Sequence, residues 1–328
     1  MPPLFSFCIL AYNNYQSVFE TLDSLLSQDY PEIELIVSND GSKDFDEQNV
    51  RHYIRENSRE NVRSVLVRNH TVNHGTVRNA EWCRTHARGE YLMYMAADDA
   101  LDNSGVLSAF AAGFECRPEA MILCARTEMC GALLEDVKFS VPSEEVVALL
   151  KSGDNRRLYS RLSHDCLIPT TSTCYRASVY AKTGGYDGNY RLIEDYSFFA
   201  RAARMGIRFC WEDGLTASRH RDGGVSHGNV SGSAGILQDY RRDEMLIFER
   251  EFLPYTTLLL PEDRKRFEQK LRFSRGRYLS FYEYKSLPFE RKLQKLPTFL
   301  FYRIRERLKG PYYFLQKLLF SGGQQSVR

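Results

Sequence analysis

Apolar and polar positions alternate in blocks along the first hundred residues. Phe5–Ala11 (FSFCILA) is a short, unbroken apolar run, the pattern of a strand buried on both faces. Over Ser17–Gln28 the apolar residues Val18, Leu22, Leu25 and Leu26 recur at helical spacing, with Ser17 as N-cap and Glu20 three residues on. Glu34–Asn39 (ELIVSN) reads as a second buried strand and Asp46–Arg59 as a polar helix. Val62–Asn69 follows as a strand, Thr76–His86 as a helix and Glu90–Ala96 (EYLMYMA) as a fourth strand. Strand and helix in strict alternation predict parallel βαβ units, whose ligands sit at the carboxyl ends of the strands. Polar clusters fall at those ends: Tyr12-Asn13-Asn14, Asp40-Gly41-Ser42 and Asp98-Asp99. Three strand exits are thus expected to face one crevice.

Beyond residue 100 the pattern loosens. Asn103–Glu115 is expected to be helical and Ala120–Glu128 a strand. Gly153–Thr173 is polar and irregular and reads as a loop over the site. Helices are expected at Arg176–Thr183 and Asp195–Met205, a Gly- and Ser-rich linker at Gly223–Gly235, and a mostly helical, basic, aromatic region from Ile236 onward. The division predicted is a catalytic α/β domain over 1–235 and a helical region over 236–328.

With 43% hydrophobic residues among 328, the chain can bury a sizeable core, and a net charge of +2 carries no polyelectrolyte signature, so no nucleic-acid partner is expected. The charge is unevenly placed. From Arg264 to the end there are 17 Lys and Arg against 4 Asp and Glu, a net of +13, which leaves −11 for the rest. A basic tail of this kind suggests a surface partner. The eight cysteines include no C-x-x-C pair and read as small core residues. No signal peptide or spanning segment is read, so the expected place is the cytoplasm, peripheral to the inner face of the membrane if the tail docks there.

Each candidate residue has an ordinary explanation when taken alone. Asp98-Asp99, after an apolar strand, could hold Mg²⁺ or Mn²⁺ or could make turn hydrogen bonds. Asp40 in S-N-D-G-S fits an Asx turn. Glu194-Asp195, opening a helix, could be capping acids. His220 in S-R-H-R-D could be a packing histidine.

As a set they resemble the family-2 glycosyltransferases. F-S-F-C-I-L-A-Y-N-N is similar to that family's opening strand and "T-Y-N" turn. E-L-I-V-S-N-D-G-S-K-D resembles "E-I-I-V-V-D-D-G-S-x-D", and N-H-G-T-V-R-N-A resembles "N-x-G-x-x-x-A-R-N-x-G". G-E-Y-L-M-Y-M-A-A-D-D resembles "G-E-Y-I-x-F-L-D-x-D-D", G-G-Y-D-G-N-Y-R-L-I-E-D-Y-S-F-F-A-R resembles "G-G-F-D-x…E-D-Y-D-L-x-x-R", and R-H-R-D-G-G-V-S-H is similar to "Y-R-x-H-x-x-G-x-S". The likeness spans roughly residues 4–230. It implies an α/β GT-A fold, a Rossmann-like mixed sheet flanked by helices, and an inverting transfer of one sugar from a nucleoside diphosphate to an acceptor hydroxyl. Ala11, Tyr12 and Asn14 would line the nucleobase pocket, Asp40 would accept a hydrogen bond from the base, and Arg78 would lie near the nucleotide. Asp98 would bind the metal, Mn²⁺ or Mg²⁺, and contact the donor, with Asp99 supporting the ribose or the metal shell and His220 completing the metal or diphosphate contacts. Asp195 would be the catalytic base, with Glu194 orienting it or the acceptor. The implied donor is a UDP-sugar, and the acceptor a glycan or lipid-linked glycan in cell-surface polysaccharide or glycoconjugate synthesis.

Two positions depart from the family pattern. Ala96 stands where the first aspartate of its D-x-D is, and Asn39 where it has the first D of "D-D-G-S". Gln238-Asp239-Tyr240-Arg241 is followed by Arg242 rather than the Trp of processive synthases, which favours single-sugar transfer. The competing classes are a nucleotidyltransferase, which would show a Gly-rich basic loop after the first strand, and a degenerate transferase acting as a binding module. In the tail, Phe301, Ile304 and Leu308 share a helical face flanked by Arg303, Arg305, Arg307 and Lys309, and Tyr312, Leu315, Leu318 and Leu319 begin another. Such a stripe suits a membrane surface, or packing on the enzyme or on a second copy.

Overall fold

In the computed structural model, residues 2–221 and 234–304 are described. The expected linker over 223–233 and the tail over 305–328, including Leu308 and the second tail stripe, lie outside them. Contacts divide the chain into two units, Met1–Arg266 and Phe267–Arg328.

The first unit begins with β1 (Phe5–Ala11), α1 (Val18–Leu26), β2 (Ile33–Asn39), α2 (Glu47–Asn57), β3 (Val62–Asn69), α3 (Thr76–His86) and β4 (Tyr91–Ala96). It continues through β5 (Ala100–Leu101), α4 (Val106–Cys116), β6 (Ile122–Cys130), β7 (Val137–Val141), α5 (Glu144–Ser152), α6 (Asn155–Leu162), β8 (Thr173–Arg176), α7 (Ser178–Thr183), α8 (Glu194–Arg204) and β9 (Phe209–Arg221). Helix α9 (Ala234–Ile247) follows, and α10 (Pro261–Tyr278) runs on into the second unit.

The nine strands form one mixed sheet in the order β3-β2-β1-β4-β8-β6-β9-β5, with β7 beside β6. Strands β3, β2, β1 and β4 are parallel. Strand β8 then runs antiparallel to both β4 and β6, and β6 lies parallel to β9. The order reverses at β1, which has β2 on one side and β4 on the other. A crevice opens at such a switch point, outside the carboxyl ends. Every residue of β2 and all but one of β1 are buried, which is why both read as unbroken apolar runs. Phe5, Phe7 and Ile9 of β1 pack with Leu22 and Leu25 of α1 and Met93 of β4 in the main core. At the opposite, amino end of the sheet, buried Glu34 accepts hydrogen bonds from Ser6 Oγ (2.5 Å), the Arg88 backbone N–H (2.8 Å) and Arg88 Nε (2.7 Å). These donors outweigh the cost of burying the charge and hold its carboxyl below the usual range.

Three local expectations change. Ser17 makes no side-chain cap, because it ends a 3-10 turn over Tyr15–Ser17 and already has helical backbone angles. The presumed loop over 153–173 contains α6, capped by Asp154, which accepts from Arg157 N. Leu158, Tyr159 and Leu162 bury one narrow face of it, and its polar remainder hid the helix. The 13-residue β9, which carries His220, has no clear apolar period, because only Phe209–Trp211 and Ala217–Ser218 are buried.

Candidate active site

The exit of β1 is built from backbone and amide groups. Asp40 N donates to the Ala11 carbonyl at 2.8 Å, joining the ends of β1 and β2. Asn13 takes a positive φ of 55°, the left-handed turn that asparagine tolerates, and its N–H meets Ser42 Oγ at 2.8 Å. Ser42 in turn donates to Asn39 Oδ1 at 2.5 Å, while Asn39 Nδ2 donates to Asn69 Oδ1 at 2.7 Å. The second bond gives Asn39 its physical reason: an aspartate there could accept from Ser42 but could not donate to Asn69. Tyr12 in this turn is 40% exposed.

Asp40 is 3% exposed, and both of its oxygens accept backbone N–H groups, from His74 and from Gly75, each at 2.8 Å. It therefore clamps the 72–75 loop that leads into α3. Two glycines permit this closeness. A Cβ on Gly41 (φ 80°) would stand 2.6 Å from the Val72 carbonyl carbon, and one on Gly75 (φ 91°) would collide with the Arg191 carbonyl. Arg78 is exposed on the first turn of α3, where the neighbouring Val77 N–H donates to that same Arg191 carbonyl.

At the exit of β4 the two aspartates are unlike. Asp99 is 1% exposed, with Oδ2 2.8 Å from His220 Nδ1 and Oδ1 accepting from Arg221 N at 3.0 Å. Asp98 is half-buried beside it. Burial and the Asp99 charge push its carboxyl up to about 6, against the pull of His220, Arg221 and a hydrogen bond from Asn14. Asn14 thereby ties the β1 exit to the β4 exit, and its Oδ1 also accepts from Tyr12 N. Among the described residues, no three His, Cys, Asp or Glu side chains gather closely enough to hold a metal by themselves. The pair nonetheless fits a divalent cation shared with a diphosphate. Asp98 stays raised even with Arg221 nearby, and Mg²⁺ and its like bind through one or two carboxylates plus phosphate oxygens. Asp99 holds the His220 ring by one nitrogen, the arrangement by which carboxylates orient metal-binding imidazoles.

The other two candidate acids open α8. Asp195 Oδ2 accepts the Thr170 hydroxyl at 2.6 Å, and its Oδ1 accepts the Tyr196 N–H at 2.6 Å. Burial raises its carboxyl, and these two donors restrain the rise. Glu194 is pushed up to about 8 by burial, by Asp195 and by Asp243. Asp243 on α9 is fully buried and fixes the residues just ahead of the pair. Its Oδ2 accepts the N–H groups of Arg191 (2.7 Å), Leu192 (2.6 Å) and Ile193 (3.3 Å).

The turn that carries Thr170 is tied to β9 through hydroxyls. Thr171, next to Thr170, accepts from Ser218 Oγ at 3.0 Å. Ser218 also meets Ser172 Oγ at 2.7 Å, and Thr127 of β6 donates to Ser172 at 2.7 Å. Ser218 stands two residues before His220. Thr170, Asp243 and Arg221 escape sequence reasoning: each is one polar residue among many, and only the tertiary contacts single it out.

The model of glycosyl transferase family 2 matches residues 6–177, a stretch that holds the β1, β2 and β4 exits and ends before Glu194. A protein of Haemophilus influenzae described as an uncharacterized glycosyltransferase is 24% identical over 241 residues, 70% of this chain and 68% of that protein. Among solved structures, S. aureus TarS 1-349 in complex with UDP-GlcNAc superposes with a TM-score of 0.57 at 20% identity, over 90% of this chain and 79% of that one. The mannosyltransferase PcManGT of Pyrobaculum calidifontis, in complex with GDP-Man and Mn²⁺, also superposes with a TM-score of 0.57, at 14% identity over 99% and 82% of the two chains.

Proposed function

The chain belongs to glycosyl transferase family 2 and has the GT-A fold, and from that premise we propose that it transfers a single sugar from a nucleoside diphosphate to an acceptor hydroxyl, with inversion, using Asp195 as base. The observation that carries this reading is the unequal pair at the head of α8. Asp195 keeps two hydrogen-bond donors that favour its charge, whereas Glu194 is pushed up to about 8. Burial raises both carboxyls, and the two donors restrain the rise at Asp195; unlike environments of this kind divide the roles of base and acid. With its carboxyl pushed up to about 8, Glu194 keeps its proton at neutral pH.

Asp195 takes the proton of the acceptor hydroxyl as that oxygen forms its bond to the anomeric carbon. On the opposite face of the sugar, the bond from that carbon to the diphosphate oxygen breaks, and the electron pair leaves with the diphosphate. Protonated Glu194 orients the acceptor. Tyr12, Ala11 and Asn14 receive the base, with Asp40 shaping that pocket through the 72–75 loop, and Arg78 lies along the nucleotide. A divalent cation, Mn²⁺ or Mg²⁺, would neutralise the diphosphate charge. Asp98 and His220 would hold it, and Asp99 would orient His220. UDP is the proposed nucleotide, supported by the UDP-GlcNAc seen in TarS. The proposed acceptor is a hydroxyl of a cell-surface glycan or its lipid-linked precursor.

Asp195→Asn tests the reading. Turnover is expected to fall by roughly 10²–10⁴ with nucleotide binding nearly unchanged. Near-normal turnover in that variant removes Asp195 from the role.

A further inference from the structure

Among the described residues of the second unit, one apolar helix face is exposed. Residues 289–304 form a helix that docks through Phe299, stacked on Tyr284 with ring centroids 4.1 Å apart, and through Tyr302, which is 7% exposed. Tyr302 packs against Phe273, and a Cβ at Gly276 would collide with its ring, so that glycine admits it. Phe289, Leu293, Leu296, Leu300 and Ile304 follow one another at four-, three-, four- and four-residue steps, so they share one helical face, away from Phe299 and Tyr302. Their exposures run from 38% at Leu296 to 75% at Phe289. A contiguous stripe of five large apolar side chains on a protein surface marks a binding face.

Charge selects the occupant. Residues 267–304 hold nine Lys and Arg against three Glu. Arg272, Arg275 and Lys295 line a cavity of about 530 Å³ whose other walls include Leu279, Pro297 and Phe301. Pro297 lies on the helix beside the stripe. Lys292 and Arg303 fall along the other edge of the stripe by helical spacing. A second copy would set this positive surface against itself, whereas an anionic lipid surface supplies both opposite charge and an apolar layer. We infer that the 289–304 helix is an interfacial anchor: its stripe enters the acyl boundary of an anionic bilayer, and the cavity of Arg272, Arg275 and Lys295 takes a phospholipid phosphate.

Flotation of the full chain with vesicles tests this independently of sugar transfer. The chain is expected to float with vesicles of mixed phosphatidylcholine and phosphatidylglycerol, less so at high salt, and weakly with phosphatidylcholine alone. Leu293→Gln, Leu296→Gln and Leu300→Gln combined should abolish flotation. The side chains are exposed, so the thermal midpoint should hold. Arg272→Ala, Arg275→Ala and Lys295→Ala should each lower partition into the anionic vesicles by about fivefold. Anionic vesicles that fail to float the wild-type chain at low salt overturn the inference. So does a triple Gln variant that floats like wild type, or one whose only change is the loss of a dimer seen by light scattering.

Discussion

Thr170 donates its hydroxyl to Asp195 Oδ2 at 2.6 Å, so the proposed base on α8 is set by a residue 25 positions upstream, in the 3-10 turn Thr170–Ser172. A donor to the charged form lowers a carboxyl's pKa. Thr170→Val removes the donor and keeps the shape. It should reduce kcat by about tenfold or more and move the acidic limb of the kcat/KM profile to higher pH. Thr170→Ser should restore the wild-type limb. A Val variant with an unmoved limb would leave Thr170 a packing residue.

Glu194 gives a pH dependence of stability. Its folded value of about 8 lies above the ordinary 4.5. A carboxyl raised on folding contributes stability that is complete below the unfolded value and is lost as pH rises through the folded one. The wild-type chain therefore loses this contribution between about pH 4.5 and pH 8. Glu194→Gln carries no such proton. Its melting temperature relative to wild type should rise by about 2 °C or more across that window. Thermal scans at several pH values check this, and a difference independent of pH would count against a shared proton at the head of α8.

Metal removal distinguishes the two β4 aspartates. Chelator should abolish transfer, and Mn²⁺ or Mg²⁺ should restore it. Asp98→Asn should lose activity at every metal concentration. Asp99→Asn disturbs the orientation of His220 and should raise the metal concentration for half activity by about 10–100-fold. Full transfer in excess chelator would shift leaving-group stabilisation to His220 and nearby arginines.

The parallel half of the sheet was readable because β1 and β2 are buried on both faces and their exits concentrate Asn, Asp and Gly. The mixed sheet and its flanking helices agree with the resemblance. Residue roles were less legible, because a side chain's hydrogen-bond partners are tertiary facts. Asp40 is expected to accept from a base, and its sequence context does not show that its two oxygens also accept the His74 and Gly75 N–H groups and so clamp the loop beside the proposed base pocket. Asn39 looked like a lost charge, and its amide joins Ser42 to Asn69. Helix α6 and strand β9 bury too few side chains at a regular period to announce themselves.

Asp243 sits on α9, well beyond the stretch matched by the family model, yet it collects three N–H groups from the residues directly before Glu194 and Asp195. The turn ahead of the proposed base and the α9 helix are therefore a single part for the purposes of recombination. A graft that replaces everything after β9 with the tail of another transferase would deliver a chain whose β1, β2 and β4 exits are whole and whose proposed base is unmoored. Engineering a new acceptor preference by swapping tails should carry an acid at position 243 across the junction, or move the junction past it.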